Sequence, residues 1–180
     1  MYIDRKLSSV IMVIERIYLP RARDTGTYLS LKSQIETEIH FTTDFFINLI
    51  QVTGNLVASA FKCTPSNGSV EVVYTLDTDE SKLKMAVKYT GKSIAHDLVS
   101  AFRKGKKTET IKVDGEICFA ARLHHVMQII LKENGRIFME NGNDSETTFS
   151  LMFPIKNKYF NQINGYPELV KTNEMAISGF

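Results

Sequence analysis

The chain has 180 residues, of which 43% are hydrophobic and 23% are charged, and its formal net charge is +2. This composition is that of one soluble globular domain with a sizeable core. It contains no basic stripe with interleaved aromatic residues, so nucleic acid is excluded as a predicted partner. No apolar run reaches the roughly 18 residues that cross a bilayer and the N-terminus is not a signal peptide, which predicts a cytoplasmic protein without direct membrane contact. The two cysteines lack metal-ligand spacing, which favours reduced thiols.

The first third of the chain predicts one helix and two strands. Leu7 to Arg23 is rich in apolar residues at helical spacing, and Pro20 is expected to kink or shorten this helix. Five residues form its predicted core face: Val10, Ile11, Val13, Ile14 and Ile17. Thr27 to Lys32 and Glu36 to Thr42 alternate between apolar and polar residues, which predicts two strands.

The stretch that begins at Asp44 predicts a long helix with two unlike faces, ending at Thr64-Pro65 because a residue before proline is disfavoured in the α region. Its apolar face comprises Phe45, Phe46, Leu49, Ile50, Leu56, Val57, Ala60 and Phe61. Its polar face comprises Asn48, Gln51, Asn55, Ser59 and Lys62. A stripe of amides and hydroxyls with one cation is typical either of a helix that faces a site or of a surface helix that carries amides.

The rest of the chain predicts two strand hairpins and a second long helix. The hairpins pair 70–76 with 83–89 and 136–140 with 148–153, and the helix covers 117–134. A short helix at 94–102 and a lysine-rich loop at 105–114 are expected between them, with a linker or tail at 155–180. These elements predict an α+β fold over residues 1–154, a two-layer α/β sandwich with helices packed on one face of a mixed, mainly antiparallel sheet.

The residue sequence of the helix that begins at Asp44 resembles a known motif. Asp44, Leu49, Gln51-Val52, Asn55-Leu56, Ala60, Lys62 and Thr64-Pro65 resemble the N-box of the catalytic ATP-binding domain of two-component sensor histidine kinases. The resemblance extends over roughly residues 10–154. It implies the histidine kinase ATPase-like fold, with ATP and Mg as cofactors, Asn55 and Ser59 as magnesium ligands and Lys62 as a cation facing the phosphates. Ser59 stands where the family has a second Asn.

The first glycine-rich motif of that family falls on Val87 to Ile94. The resemblance assigns Tyr89, Gly91 and Ser93 to the nucleotide site. Tyr89 stands where the family has the Asp that accepts the adenine amino group, and Ser93 replaces a glycine. A phenol cannot reproduce that carboxylate, and its ring would occupy the volume of the base.

Two further motifs are also altered. The second glycine motif falls on Ala120-Ala121-Arg122-Leu123, where alanine and arginine favour a continuous helix over a phosphate-binding loop. The last hairpin carries Glu146-Thr147-Thr148-Phe149 without the family glycine, and Thr148 is assigned to the nucleotide site. Changes in three separate loops predict weakened or lost ATP binding.

These observations predict an ATP-binding-type domain of a sensor histidine kinase that acts as a conformational or docking module. Such a domain is compatible both with a cytoplasmic kinase and with the cytoplasmic part of a membrane-bound sensor. The expected partner is a response regulator or a phosphoacceptor helical domain of the same protein, and a homodimer through segments outside this chain is also compatible. None of the four histidines lies in the family's phosphoacceptor motif, so no catalytic residue is assigned. The alternatives are an active Mg-ATP-binding kinase domain with a variant pocket and a nucleotide-free phosphotransfer or interaction module.

Overall fold

A computed structural model describes residues 5–36, 38–78, 81–91, 117–142 and 146–154, with the backbone alone at 117–121. Its described elements are three helices and five strands. The helices are α1 (Leu7–Thr25), α2 (Thr43–Cys63) and α3 (Ile117–Lys132). The strands are β1 (Tyr28–Ser33), β2 (Ser69–Asp77), β3 (Lys82–Thr90), β4 (Arg136–Asn141) and β5 (Glu146–Pro154).

The five strands form one open mixed sheet in the order β1-β2-β3-β5-β4. β1 runs parallel to β2, and the other neighbours are antiparallel. The parallel pair needs a crossover connection, which α2 provides. Both predicted hairpins are present, and the α+β two-layer sandwich predicted from the sequence is confirmed.

The core lies between the helices and one face of the sheet. Alternate residues of two neighbouring inner strands are fully buried: Val70, Val72 and Tyr74 on β2, and Leu83, Met85, Val87 and Tyr89 on β3. The predicted apolar face of α2 covers them, with seven of its eight members buried and Ile50 packed against the cluster. α2 ends at Cys63, one residue before Thr64-Pro65, as predicted. Within the described ranges, no helix is long and apolar enough to span a bilayer.

Helix α1 departs from its predicted form in length and in its buried face. The helix continues through Pro20 to Thr25 and ends at Gly26, whose left-handed backbone (φ 65°) and N–H contact with Arg23 close its last turn. Its buried positions are Leu7, Ser9, Val10, Ile14 and Ala22. Ile17 was wrongly assigned to the core, since it is 56% exposed, whereas Tyr18 packs against the core. The stripe therefore continues at four-residue spacing from Ile14 to Tyr18 and Ala22.

The predicted strand at 36–42 is wrong. Its only described pairing is an isolated bridge between His40 and Lys6. Ile39 and Phe41 are nevertheless fully buried, so the alternation reflects two side chains that anchor a non-sheet segment in the core. The predicted helix at 94–102, the loop at 105–114 and the tail at 155–180 lie outside the described residues.

Candidate functional site

The polar face of α2 divides into residues that serve the core and residues that reach the surface. Asn48 is buried, and its amide nitrogen donates to Glu133 Oε1, just beyond α3, over 2.6 Å. Ser59 is fully buried, whereas Gln51 and Lys62 are exposed and Asn55 is half-buried. The N-terminal part of the stripe therefore packs against α3.

Asn55 and Ser59, the predicted magnesium ligands, hydrogen-bond within the helix. Asn55 Nδ2 donates to the Gln51 carbonyl over 2.9 Å, and Ser59 Oγ donates to the Asn55 carbonyl over 2.8 Å. Each side chain thus bonds to the backbone carbonyl four residues earlier in its own helix, an interaction that Ser and Asn commonly make inside helices. Magnesium needs oxygen ligands that are open to it, together with several waters. The pair as arranged here does not fit that ion, because Ser59 is enclosed. This arrangement therefore does not support metal coordination by Asn55 and Ser59, which stays a prediction from the resemblance.

Gly91 lies directly against the C-terminal end of α2. Its φ is +148°, and a Cβ atom added there would lie 2.0 Å from the Cys63 carbonyl oxygen. Only glycine fits such a close backbone approach. Gly91 thus has a packing role at the turn after β3, next to the last turn of α2 that carries Lys62.

Tyr89, which stands at the position of the family's adenine-binding Asp, is part of the core. It is fully buried, and its ring lies 6.4 Å from that of Phe149, centroid to centroid. The hydroxyl has no hydrogen bond of ordinary geometry, although the Thr147 hydroxyl and the Cys63 thiol lie near it. Burial raises the pKa of this phenol well above its usual value. Tyr89 is therefore a neutral ring that fills core volume.

The two threonines of β5 lie on opposite faces of the sheet. Thr147 pairs with Tyr89, is fully buried, and donates to Asn141 Oδ1 over 3.0 Å. Thr148, which the sequence assigned to the nucleotide site, pairs with Lys88 and shares the face away from the helices. The structure does not bring Thr148 next to Asn55 or Tyr89, and sequence reasoning missed Thr147. Ser93 lies outside the described residues.

Tyr18, a residue that sequence reasoning also missed, lies near the centre of α2 and within reach of two positive charges. The Tyr18 hydroxyl donates to the carbonyl of Gly54 over 2.8 Å. Gly54 directly precedes Asn55 in α2, so Tyr18 contacts this helix next to Asn55. Burial raises the pKa of Tyr18, while the nearby positive charges of Arg122 on α3 and Arg21 on α1 lower it by less. Arg122 is half-buried, and its Nη1 is enclosed without a hydrogen-bond partner.

Neither a cluster of metal ligands nor a related sequence identifies the function of this site. Among the described residues, no group of three or more His, Cys, Asp or Glu side chains could hold a metal ion. Comparison with known protein families finds no match, and comparison with curated proteins finds none either.

Solved structures, in contrast, resemble the fold closely. The nucleotide-free catalytic domain of histidine kinase ThkA superposes with a TM-score of 0.66 at 17% identity, covering 82% of this chain and 91% of that one. The chain has the fold of the catalytic ATPase domain of sensor histidine kinases. Full-length ShkA in complex with AMPPNP gives 0.64 at 16% identity, covering 84% of this chain and 29% of that one. ThkA in complex with the response regulator TrrA gives a TM-score of 0.62 at 19% identity, covering 83% of this chain and 40% of that one.

The superposed structures have the fold that the resemblance of the α2 motif implied. The kinase-like helix α2 lies over the sheet centre, with Gly91 at its end and Tyr89 beneath it. Of the altered nucleotide motifs, the first therefore lies at the C-terminal end of α2 through Tyr89 and Gly91.

Proposed function

We propose that this domain is the ATPase-type domain of a two-component sensor histidine kinase whose ATP binding is weakened or lost, and that it acts as a conformational or docking module. The observation that carries the proposal is the burial of Tyr89 in the core, at the position of the adenine-binding carboxylate. A site built to hydrogen-bond a group discriminates strongly only while that partner is present. A neutral, enclosed phenol offers adenine neither a carboxylate nor room.

The phosphate side of the site supports the same proposal. Phosphate-binding glycines let backbone N–H groups approach the ligand at a helix N-terminus. Helix α3 has Arg122 and a continuous helical backbone from Ile117 where the family has that loop. Ser59 is enclosed and donates within its helix. Ser59, one of the two predicted magnesium ligands, is thus already used by the fold.

Calorimetric titration of the full chain with Mg-ATP and Mg-ADP tests this proposal. We expect no saturable heat up to about 1 mM nucleotide, a concentration at which millimolar affinity begins to be measurable. A parallel melting experiment should find no nucleotide-dependent rise in melting temperature. A histidine kinase domain that binds ATP serves as the positive control. Saturable, magnesium-dependent binding would contradict the proposal.

A second candidate function is an active Mg-ATP-binding domain with a variant pocket. It is favoured by Asn55 and Lys62, which keep the family residue types on the outer side of α2 and remain at least partly exposed. This candidate predicts magnesium-dependent binding that Lys62→Ala weakens. Loss of binding in Lys62→Ala, with binding retained in Lys132→Ala as a distant exposed control, would support it over the first.

A docking role needs a partner, and we propose a response regulator or a helical phosphoacceptor domain. ThkA, which has this fold, is known in complex with its response regulator TrrA, and this supports the kind of partner proposed. Titration of the chain with the regulator of its own signalling system, with and without regulator phosphorylation, tests the idea. Saturable binding that needs no nucleotide is the expected result, and binding that requires ATP would favour the active kinase instead.

A further inference from the structure

Helix α1 exposes apolar side chains on the face that points away from the core. Met12, Ile17 and Leu19 are 37%, 56% and 37% exposed, so this helix carries three of the seven exposed large hydrophobic residues in the described part of the chain. Within the same described residues, α2 and α3 have one each, Ile47 and Leu131. Helices that are apolar on all sides are usually buried, and neighbouring exposed apolar residues can mark a site of interaction. The outer face of α1 thus has the composition of a surface that a partner covers.

The outward apolar residues of α1 form two rows along the helix. Met12 and Leu19 are seven residues apart, which places them on one line two turns apart. Val13, Ile17 and Pro20 follow one another at spacings of four and three residues and form the second row. Both rows start in the same turn, and together they extend for about 12 Å along the helix axis. This length is sufficient for contact with two to three turns of another helix.

Two arginines lie between the apolar rows. Arg16 and Arg23 are exposed and seven residues apart, on the part of the helix surface that separates the rows. Neither forms an ion pair with a described residue. Glu15 is half-buried to the side of the first row, and Asp24 is exposed just beyond the end of the second. The outer face of α1, from Met12 to Arg23, is therefore apolar and positively charged.

The chemistry of this outer face selects the kind of partner that fits it. Helix α1 packs against β1 and α2 with its inner side, which leaves its outer face accessible along its length. A second helix can pack beside such a face at an axial distance of about 8–10 Å. Arginine binds carboxylates through paired N–H donors, and it is enriched with methionine in protein interfaces. Charge complementarity therefore favours a helix that carries Asp or Glu.

We propose that the outer face of α1 docks an acidic amphipathic helix of a partner protein. The apolar residues of that helix would cover the two rows, and its carboxylates would pair with Arg16 and Arg23. This inference rests on the proposed docking function, to which it adds the docking surface and the chemistry of the docked segment. It requires no nucleotide.

Titration of the isotope-labelled full chain with a synthetic peptide, followed by the NMR shifts of its backbone amides, tests the surface. The probe is a peptide of about 18 residues, long enough to form a helix, with Leu at spacings of three and four and Glu beside them. A peptide of the same composition without helical spacing of its leucines is the control. We expect saturable shifts in α1 with the first peptide and none with the second.

Reversal of the charge should reverse the preference for the peptide. The double variant Arg16→Glu, Arg23→Glu should bind the acidic peptide at least about tenfold more weakly, the usual loss with one charged hydrogen bond. It should bind instead a peptide in which Lys replaces every Glu. Arg136→Glu, at an exposed arginine on β4, is the matched control and should keep the preference of the wild type. An equal loss in the control would overturn the proposal.

A change in the second apolar row separates docking from simple charge attraction. Ile17→Ser should weaken binding of the acidic peptide by at least about fivefold, because it removes apolar area that the peptide would bury. Leu131→Ser, at a similarly exposed residue on α3, should bind as the wild type does. Unchanged binding in Ile17→Ser would reduce the contact to attraction between opposite charges and would contradict a docked helix.

Phosphatidylserine vesicles offer the same face a membrane in place of a helix. Tighter binding to these vesicles than to the acidic peptide would assign the face to a lipid surface and overturn the proposal. Absence of saturable shifts in α1 would overturn it as well. Neither result alters the nucleotide and regulator titrations that decide the proposed function, so the two failures are distinguishable.

Discussion

The Asn48 side-chain amide donates a 2.6 Å hydrogen bond to the Glu133 carboxylate, and both residues are more than nine-tenths buried. Asn48 lies in the first half of α2, and Glu133 directly follows α3. The bond therefore joins the kinase-like helix to the helix that carries Arg122. Within the described part of the chain, Asn48 is the one side chain that hydrogen-bonds to the Glu133 carboxylate.

Asn48→Ala should lower the free energy of unfolding by about 3 kcal/mol, because it leaves a buried carboxylate without its donor. Chemical denaturation of the purified chain measures this change. Gln51→Ala, one turn away and exposed, is the control and should change stability by no more than about 0.5 kcal/mol. Equal effects of the two variants would mean that the buried bond contributes nothing specific.

Removal of a tyrosine hydroxyl should lower stability at one of the two fully buried tyrosines of the sheet and not at the other. The Tyr74 hydroxyl lies 2.8 Å from Thr53 Oγ1, which itself donates to the Leu49 carbonyl, so Tyr74 is the donor. Tyr74→Phe should cost about 1 kcal/mol of stability, the net value of a hydrogen bond. Tyr89→Phe should be neutral or stabilising, because its hydroxyl has no well-formed bond to lose. Urea denaturation at pH 7 compares them, and a larger loss in Tyr89→Phe would contradict this picture.

The same tyrosines predict how stability depends on alkaline pH. Burial raises the pKa of both phenols in the folded state, so they keep their protons when an unfolded tyrosine loses its own, near pH 10. The unfolded state then binds fewer protons than the folded state, and stability falls as the pH rises above about 10. Each tyrosine should contribute up to about 1.4 kcal/mol per pH unit to this fall. Denaturation between pH 8 and 11 should therefore give a shallower decline for Tyr89→Phe than for the wild type. Parallel curves would show that folding does not raise the pKa of Tyr89.

Much of this architecture was predictable because it depends on local periodicity. The apolar face of α2 and both hairpins follow from spacings of three to four and of two residues. The same period of two places Thr147, and not Thr148, on the face shared by Phe149 and Leu151. Alternation alone could thus have identified the threonine beside Tyr89.

Contacts between distant parts of the chain were not predictable in this way. Asn48 is polar on a helical face that looked open, and only the packing of α3 buries it against Glu133. The enclosure of Arg122 Nη1 likewise depends on how α3 packs against the other helices. Such placements are decided by tertiary packing of residues far apart in sequence, which no local pattern encodes.

Gly91 provides the sharpest test of how the end of α2 is built. Gly91→Ala should destabilise the fold by more than about 3 kcal/mol, because the new Cβ would lie 2.0 Å from the Cys63 carbonyl oxygen at a φ of +148°. Gly54→Ala is the matched control: Gly54 lies inside α2, where a Cβ would meet Ile14 Cδ1 at an ordinary 3.6 Å. That change should stabilise the protein by up to about 1 kcal/mol, the helix propensity difference between the two residues. Thermal and urea denaturation of both variants measure the contrast. A tolerated alanine at position 91 would mean that the turn after β3 can move away from α2, and the close packing of this motif against the helix end would then be no requirement of the fold.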